Sequence, residues 1–317
     1  MTTESTTSTA PADAAREALD GIDADTHRER VQLAKLRGVD LAYETFGDPA
    51  DPAIVLVMGL GTQMLGYHER MCERLADAGH HVIRFDNRDT GLSTHWPDEP
   101  PSLPSMLLKR RPPYRIADLA DDATQLVDHL GLDRFHLVGT SMGGFIAQTM
   151  ALAAPERLRS LTLVMTSTGS RRVGRPTPSV MRRMAQAEPA RDRAAVIEAG
   201  VETYRIIGSP VLDEADLRRV AAWSYDRSHD PQGRDRQLAA ILAQPDRTAR
   251  LRTLDVPTLV VHGLADPLVA PSGGLALARA IPGATFIGHN GMGHDLTRSL
   301  WGPLSEDLLA FIARQGR

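Results

Sequence analysis

From Val31 onward, short apolar runs alternate with stretches of helical period, and this alternation limits the choice of fold more than any other feature. Ala53-Ile54-Val55-Leu56-Val57 is continuously apolar, the pattern of a strand buried on both faces of a sheet. Val31–Leu36 and Leu41–Thr45 read as paired opening strands across the Gly38-Val39-Asp40 turn. Further strands are expected at His81–Asp86, Phe135–Val138, Leu161–Met165, Thr258–His262 and Ala284–Ile287. Helices are expected from about Met64 to Ala78, Ile116 to Leu130 and Met142 to Ala154. Two more are expected around Leu275–Ala280 and from about Leu304 to Ala313, the latter with Pro303 in its first turn. Repeated β-α-β units predict an α/β fold, a mostly parallel sheet of about eight strands flanked by helices.

The alternation stops between residues 170 and 252, which carry helical patterns, many arginines and no lysine. The expected organisation is therefore a core of residues 28–169 and 253–317 with an inserted helical cap at 170–252. Val180, Met181, Met184, Ile206, Ile207, Val211 and Leu212 would line a pocket in that cap or pack its helices together. Residues 1–27 read as a disordered or loosely helical tail. Its Ser/Thr-rich start lacks the basic and apolar regions of a secretory signal.

A chain of 317 residues suits one large α/β domain with an insertion. The net charge of −4 gives no reason to expect nucleic acid or an anionic membrane as partner. Apolar runs such as Ala53–Leu60 are too short to span a bilayer. Cys72 is the only cysteine, so no internal disulfide can form, and a cytoplasmic location is expected.

Gly139-Thr140-Ser141-Met142-Gly143 fits G-x-S-x-G at a strand-to-helix turn. The reason for the glycines is steric: a serine held in a strained turn leaves little room two residues away on either side. A serine hydroxyl needs a base, and the base needs an orienting acid, in the chain order Ser, acid, His. His294, in the loop G-M-G-H-D-L after the last strand, is the candidate base, with His262 and His289 as rivals. His80, His81, His129 and His136 read as structural. Asp266, a few residues past strand Thr258–His262, is the candidate acid, because catalytic groups gather at the carboxyl ends of such strands. Asp295 reads as a helix cap. Oxyanion donors are expected from the backbone N–H groups of Met142 and of Leu60, in the turn Val57-Met58-Gly59-Leu60-Gly61-Thr62-Gln63. No metal-ligand spacing such as H-E-x-x-H is present, and no cofactor is implied.

With these parts in this order, residues 31 to 317 resemble the α/β-hydrolase superfamily. Phe85-Asp86-Asn87-Arg88-Asp89-Thr90-Gly91-Leu92-Ser93-Thr94 resembles the family's D-x-R-G-x-G-x-S turn, with Asp89 in place of the first glycine. Met58 stands where many relatives carry histidine. Together, M-G-L-G, D-N-R-D-T-G-L-S-T and G-T-S-M-G-G are similar to a serine esterase branch of actinobacterial enzymes that includes anthracycline methyl-ester esterases. The resemblance implies a serine hydrolase acting on a small-molecule carboxylic ester through an acyl-enzyme. Cofactor-free perhydrolysis or haloperoxidation, and carbon–carbon bond hydrolysis, use the same scaffold; a low-turnover ligand-binding module is the reading from outside enzymology. Ser141 at the nucleophile position disfavours dehalogenase and epoxide hydrolase chemistry, whose relatives carry Asp there.

Overall fold

Strands β1 (Gln32–Leu36) and β2 (Val39–Phe46) form an antiparallel hairpin, turned at Gly38 with φ 82°. The remaining strands are β3 (Ala53–Val57), β4 (His81–Phe85), β5 (Phe135–Thr140), β6 (Leu158–Val164), β7 (Thr258–Gly263) and β8 (Thr285–His289). They build one eight-stranded sheet in the order β1-β2-β4-β3-β5-β6-β7-β8, in which only β2 runs against its neighbours. The computed structural model describes residues 30–107, 112–186 and 192–315, so the tail expected at residues 1–27 lies outside the described residues.

Helices α1 (Glu69–Asp77), α2 (Leu103–Leu107), α3 (Ile116–His129) and α4 (Met142–Ala153) come before β6. Among the described residues, five helices separate β6 from β7: α5 (Pro178–Gln186), α6 (Arg193–Ile207), α7 (Glu214–Arg227), α8 (Pro231–Ala243) and α9 (Thr248–Leu251). Helix α10 (Ser272–Ala280) follows β7, and α11 (Arg298–Gln315) follows β8. On one face of the sheet Val55, Leu137, Leu161 and Val260 pack with Val127 of α3, Ile146 of α4 and Leu277 of α10. On the other, Ile54, Leu56, Val138 and Val261 pack with Leu75 of α1 and Leu308 of α11. Both faces being covered is why the inner strands are apolar without alternation.

Two helix starts differ from the sequence expectation. The stretch beginning at Met64 is a single 3₁₀ turn (Met64–Gly66), because Asp86 Oδ1 captures the Met64 N–H at 2.8 Å. The α-helix begins at Glu69, capped by the His68 ring, which accepts from Arg70 N at 3.1 Å. Pro303 lies inside α11 rather than in its first turn. The helix runs through it because Trp301, Leu304, Leu308, Phe311 and Ile312 are all buried, and that packing outweighs one lost ladder bond.

The helical stretch between β6 and β7 is tied to loops at the carboxyl ends of the strands. Arg236 of α8 grips Asp89 with two hydrogen bonds of 2.9 Å, and Tyr114 Oη also donates to that carboxylate. Arg227 of α7 donates to Asp86 at 2.6 Å and to Gln63 at 2.7 Å. Gln237 of α8 accepts from Gly61 N and donates to Arg88 O and Thr90 Oγ1. The apolar residues expected to line a pocket here divide: Val180 is buried, Ile206, Ile207 and Leu212 are half-buried, and Met181, Met184 and Val211 are exposed. Val211 is 79% exposed, so it lines no enclosed space.

Candidate active site

The chain leaves β3 for β4 on one side and returns through β5 on the other. That reversal is a topological switch point, and ligands of open α/β sheets usually bind beyond the carboxyl ends of the strands at such a point. Ser141 follows β5 directly and has φ 55° and ψ −114°, a region that side-chain-bearing residues avoid. Three hydrogen bonds hold it there. Ser141 N donates to Val164 O at 2.9 Å, while Ser141 O accepts from Gly144 N at 3.0 Å and Thr166 Oγ1 at 2.8 Å.

The flanking glycines are required by close approach. A Cβ at Gly139 would lie 2.4 Å from Gly143 O, and one at Gly143 would lie 2.0 Å from Val57 O. The turn after β3 also packs against the serine, less closely, since a Cβ on Gly59 would meet Ser141 Cβ at 3.2 Å. Leu60 N lies in that turn and Met142 N opens α4; among the described residues neither N–H donates to a protein acceptor. Met58, in the position where the resemblance gave histidine, is buried in the core cluster beside α1, and its carbonyl accepts from Asn87 Nδ2 at 3.0 Å.

His294 stands between Ser141 and Asp266. Its Nδ1 is 2.7 Å from Asp266 Oδ2, and its Nε2 is 3.0 Å from Ser141 Oγ. A carboxylate only accepts, so Nδ1 carries the proton and Nε2 presents its lone pair to the serine hydroxyl. The other Asp266 oxygen accepts from Leu268 N at 2.9 Å and Val269 N at 2.8 Å, fixing the carboxylate's aim. Asp266 and His294 are buried while Ser141 is half-buried, so the serine end of the chain of hydrogen bonds is the more open one.

The rival histidines are engaged elsewhere. His289 Nε2 is 2.7 Å from Asp307 Oδ2. His262 is fully buried, donates through Nε2 to Val269 O at 2.7 Å, and is pushed below its ordinary pKa by burial, so it braces the Asp266 loop as a neutral ring. Asp295 is not a helix cap. Its Oδ1 accepts from Ser209 N at 2.8 Å and Ser209 Oγ at 2.7 Å, a partner 86 residues away.

Asp89 adopts φ 68°, which accounts for glycine at that position in the family pattern. Asp89, His95 and Asp230 form the one group of ligand-type side chains close enough for a metal among the described residues. The Arg236 guanidinium already occupies it, with Nη2 at 2.9 Å from Asp89 and 2.8 Å from Asp230.

The family described as alpha/beta hydrolase fold matches residues 52–296. The chain belongs to the alpha/beta hydrolase family. Two relatives are rhodomycin D methylesterases from Streptomyces. That of Streptomyces sp. (strain C5) is 31% identical, over 86% of this chain and 94% of the relative. That of Streptomyces peucetius is 32% identical with the same coverage. Within the alpha/beta hydrolase family the chain thus stands among carboxylic ester hydrolases. A solved esterase, RhEst1 from Rhodococcus sp. ECU1013, superposes with a TM-score of 0.72 at 21% identity, covering 90% of this chain and 98% of its own, and shares the fold. Among the described residues, no helix of this alpha/beta hydrolase is long and apolar enough to cross a membrane.

Sequence reasoning missed Gln237, Arg227, Arg236 and Ser209, which lie in the stretch between β6 and β7 and hold the loops around Ser141 and His294. For the first three the only local signal was arginine and glutamine on helical faces, which solvated helices also carry, and Ser209, past the end of α6, gave none.

Proposed function

We propose that this hydrolase cleaves a carboxylic ester through an acyl-enzyme, with Ser141 as nucleophile, His294 as base and Asp266 as orienting acid. The observation that carries the reading is the single imidazole within hydrogen-bond reach of both the Ser141 hydroxyl and the Asp266 carboxylate. His294 Nε2 takes the Ser141 proton as Oγ attacks the ester carbonyl, and the imidazolium that forms is stabilised by Asp266. The N–H groups of Leu60 and Met142 receive the developing oxyanion, the role their lack of protein acceptors supports. His294 then hands its proton to the departing alkoxide. Water, activated by the same imidazole, releases the acid and restores the serine.

The helical segment from 170 to 252 is the cap on this site, seated over the strand ends that carry the reacting groups. The methylesterase relatives support a methyl ester as the substrate class, with methanol as the leaving alcohol. A single buried cysteine, Cys72, suits a cytoplasmic setting.

Purified protein should hydrolyse short p-nitrophenyl esters and methyl esters and should label with a fluorophosphonate probe. Ser141→Ala should lower kcat by roughly 10⁶-fold and abolish labelling. Full turnover in that variant would refute the mechanism. Peroxide-dependent halogenation faster than ester turnover would replace water by peroxide as the acyl acceptor, and faster diketone cleavage would replace the ester as the acyl donor, on the same residues.

A further inference from the structure

Residues 207–209, at the carboxyl end of α6, lie against residues 293–295, the loop that carries His294. Ile207 O accepts from His294 N at 2.7 Å. Ser209 Oγ accepts from Gly293 N at 3.0 Å and donates to Asp295 Oδ1 at 2.7 Å, while Ser209 N donates to the same oxygen at 2.8 Å. All three residues of the histidine loop are therefore held by two residues of the insertion, Ile207 and Ser209, with Gly208 packed between them. The fit is tight, since a Cβ on Gly293 would lie 2.2 Å from the carbonyl carbon of Gly208.

Ser209 is the pivot of this contact. It is buried, and its one hydroxyl serves both residues flanking His294, accepting from the one before and donating to the one after. Asp295 is buried as well, and its Oδ2 has no protein partner. Among the described residues Ser209 supplies both hydrogen bonds that this carboxylate receives. Removing the hydroxyl would leave the Gly293 N–H without its acceptor and the Asp295 carboxylate with one donor fewer, in a place that water does not reach freely. The backbone of residues 293–295 would shift to recover partners. The imidazole between them would move relative to Ser141 Oγ, now 3.0 Å away.

We infer that Ser209 is a positioning residue: it sets the place of His294 through Gly293 and Asp295, so that proton transfer from Ser141 depends on a contact made by the helical insertion. The inference rests on the esterase reading above, in which His294 is the base. It goes beyond that reading by making the docked insertion a condition for the chemical step as well as for substrate fit.

The test compares wild type, Ser209→Ala, Ser209→Thr and Ser141→Ala on p-nitrophenyl butyrate, well below each variant's melting temperature, with fluorophosphonate labelling rates measured in parallel. In Ser209→Ala, kcat and the labelling rate should fall together by about 10- to 100-fold, while KM stays within about twofold. Ser209→Thr, which keeps the hydroxyl, should recover most of both rates. A folded Ser209→Ala enzyme with wild-type kcat and labelling rate overturns the inference, as does a loss confined to KM. A folded Ser209→Thr enzyme as slow as the alanine variant also overturns it. Ser141→Ala separates the two levels. Unchanged turnover in that variant removes the esterase mechanism itself, whereas an inert Ser141→Ala beside an unaffected Ser209→Ala removes only the positioning role.

Discussion

Gly61 gives its backbone N–H to Oε1 of Gln237, 2.8 Å away, so a residue of the helical insertion holds the turn that packs against Ser141. The same amide donates to Arg88 O at 2.7 Å and to Thr90 Oγ1 at 2.8 Å, and Gln237 is fully buried. Gln237→Leu keeps much of the volume but takes the side-chain partner from the Gly61 N–H and the Arg88 carbonyl. Stability should fall by about 1–3 kcal/mol for the buried Arg88 carbonyl, whereas the N–H of Gly61, an exposed residue, regains a partner from water. If the turn carries an oxyanion donor, kcat should also fall, by up to about 10²-fold. Urea unfolding and p-nitrophenyl ester kinetics on the same preparation check both effects.

The aim of His294 depends on Asp266. Asp266→Asn replaces an obligate acceptor by an amide that can present N–H to Nδ1, favouring the tautomer with its proton on Nε2. With Nε2 protonated, the ring cannot take the serine proton. The expected loss in kcat is about 10⁴-fold with little change in melting temperature. Steady-state kinetics at pH 7.5, with circular dichroism as a control, checks this.

Asp89 and Arg236 form a pair in which both side chains are buried. Arg236→Met alone leaves a carboxylate facing Tyr114 and the Trp96 N–H without its cation, and should destabilise the fold by about 3–5 kcal/mol. Adding Asp89→Gly removes the stranded charge and relieves the φ of 68° at the same time. The double variant should therefore be more stable than the single arginine variant, a sign reversal that chemical denaturation of the four-member cycle would reveal.

Acid should weaken the fold through His68 and His136. Burial, reinforced by the Arg84 charge, pushes His68 from 6.5 down to about 3. Burial, aided by the neighbouring His80, brings His136 to about 4. In both cases the folded value lies below the unfolded one, so the unfolded chain takes up the proton first as pH falls. Stability from the neutral rings is intact above about pH 6.5 and drains away as pH drops toward those folded values. Protonating His68 also removes the Nδ1 acceptor that caps α1 at Arg70 N. His68→Asn preserves a capping oxygen without a titrating group, although it loses the stack on Trp301. Urea midpoints measured from pH 7.5 to 4.5 should fall less steeply in this variant than in wild type.

What could be read from the sequence was whatever local chemistry decides. The run from Ala53 to Val57 is apolar at every position because helices cover both of its faces, and that leaves a mark in one dimension. Ser141 stood out because its glycine neighbours answer a steric demand two residues away. Asp295 and Pro303 were misread for the complementary reason. Local rules made one a helix cap and the other a first-turn residue, but Ser209 and the buried face of α11 imposed different roles from a distance. Asp89 marked a departure from the family pattern whose meaning could not be read without Arg236, 147 residues away. Links between the insertion and the strand ends leave no periodicity, so Gln237 and Ser209 could be found only in three dimensions.

Ser141 holds a left-handed backbone that glycine would accept without protest. An enzyme selected only for endurance would have glycine there, more durable by about 1–3 kcal/mol and chemically inert. On the mechanism proposed above, the hydroxyl at that corner marks where the molecule forgoes robustness in exchange for turnover.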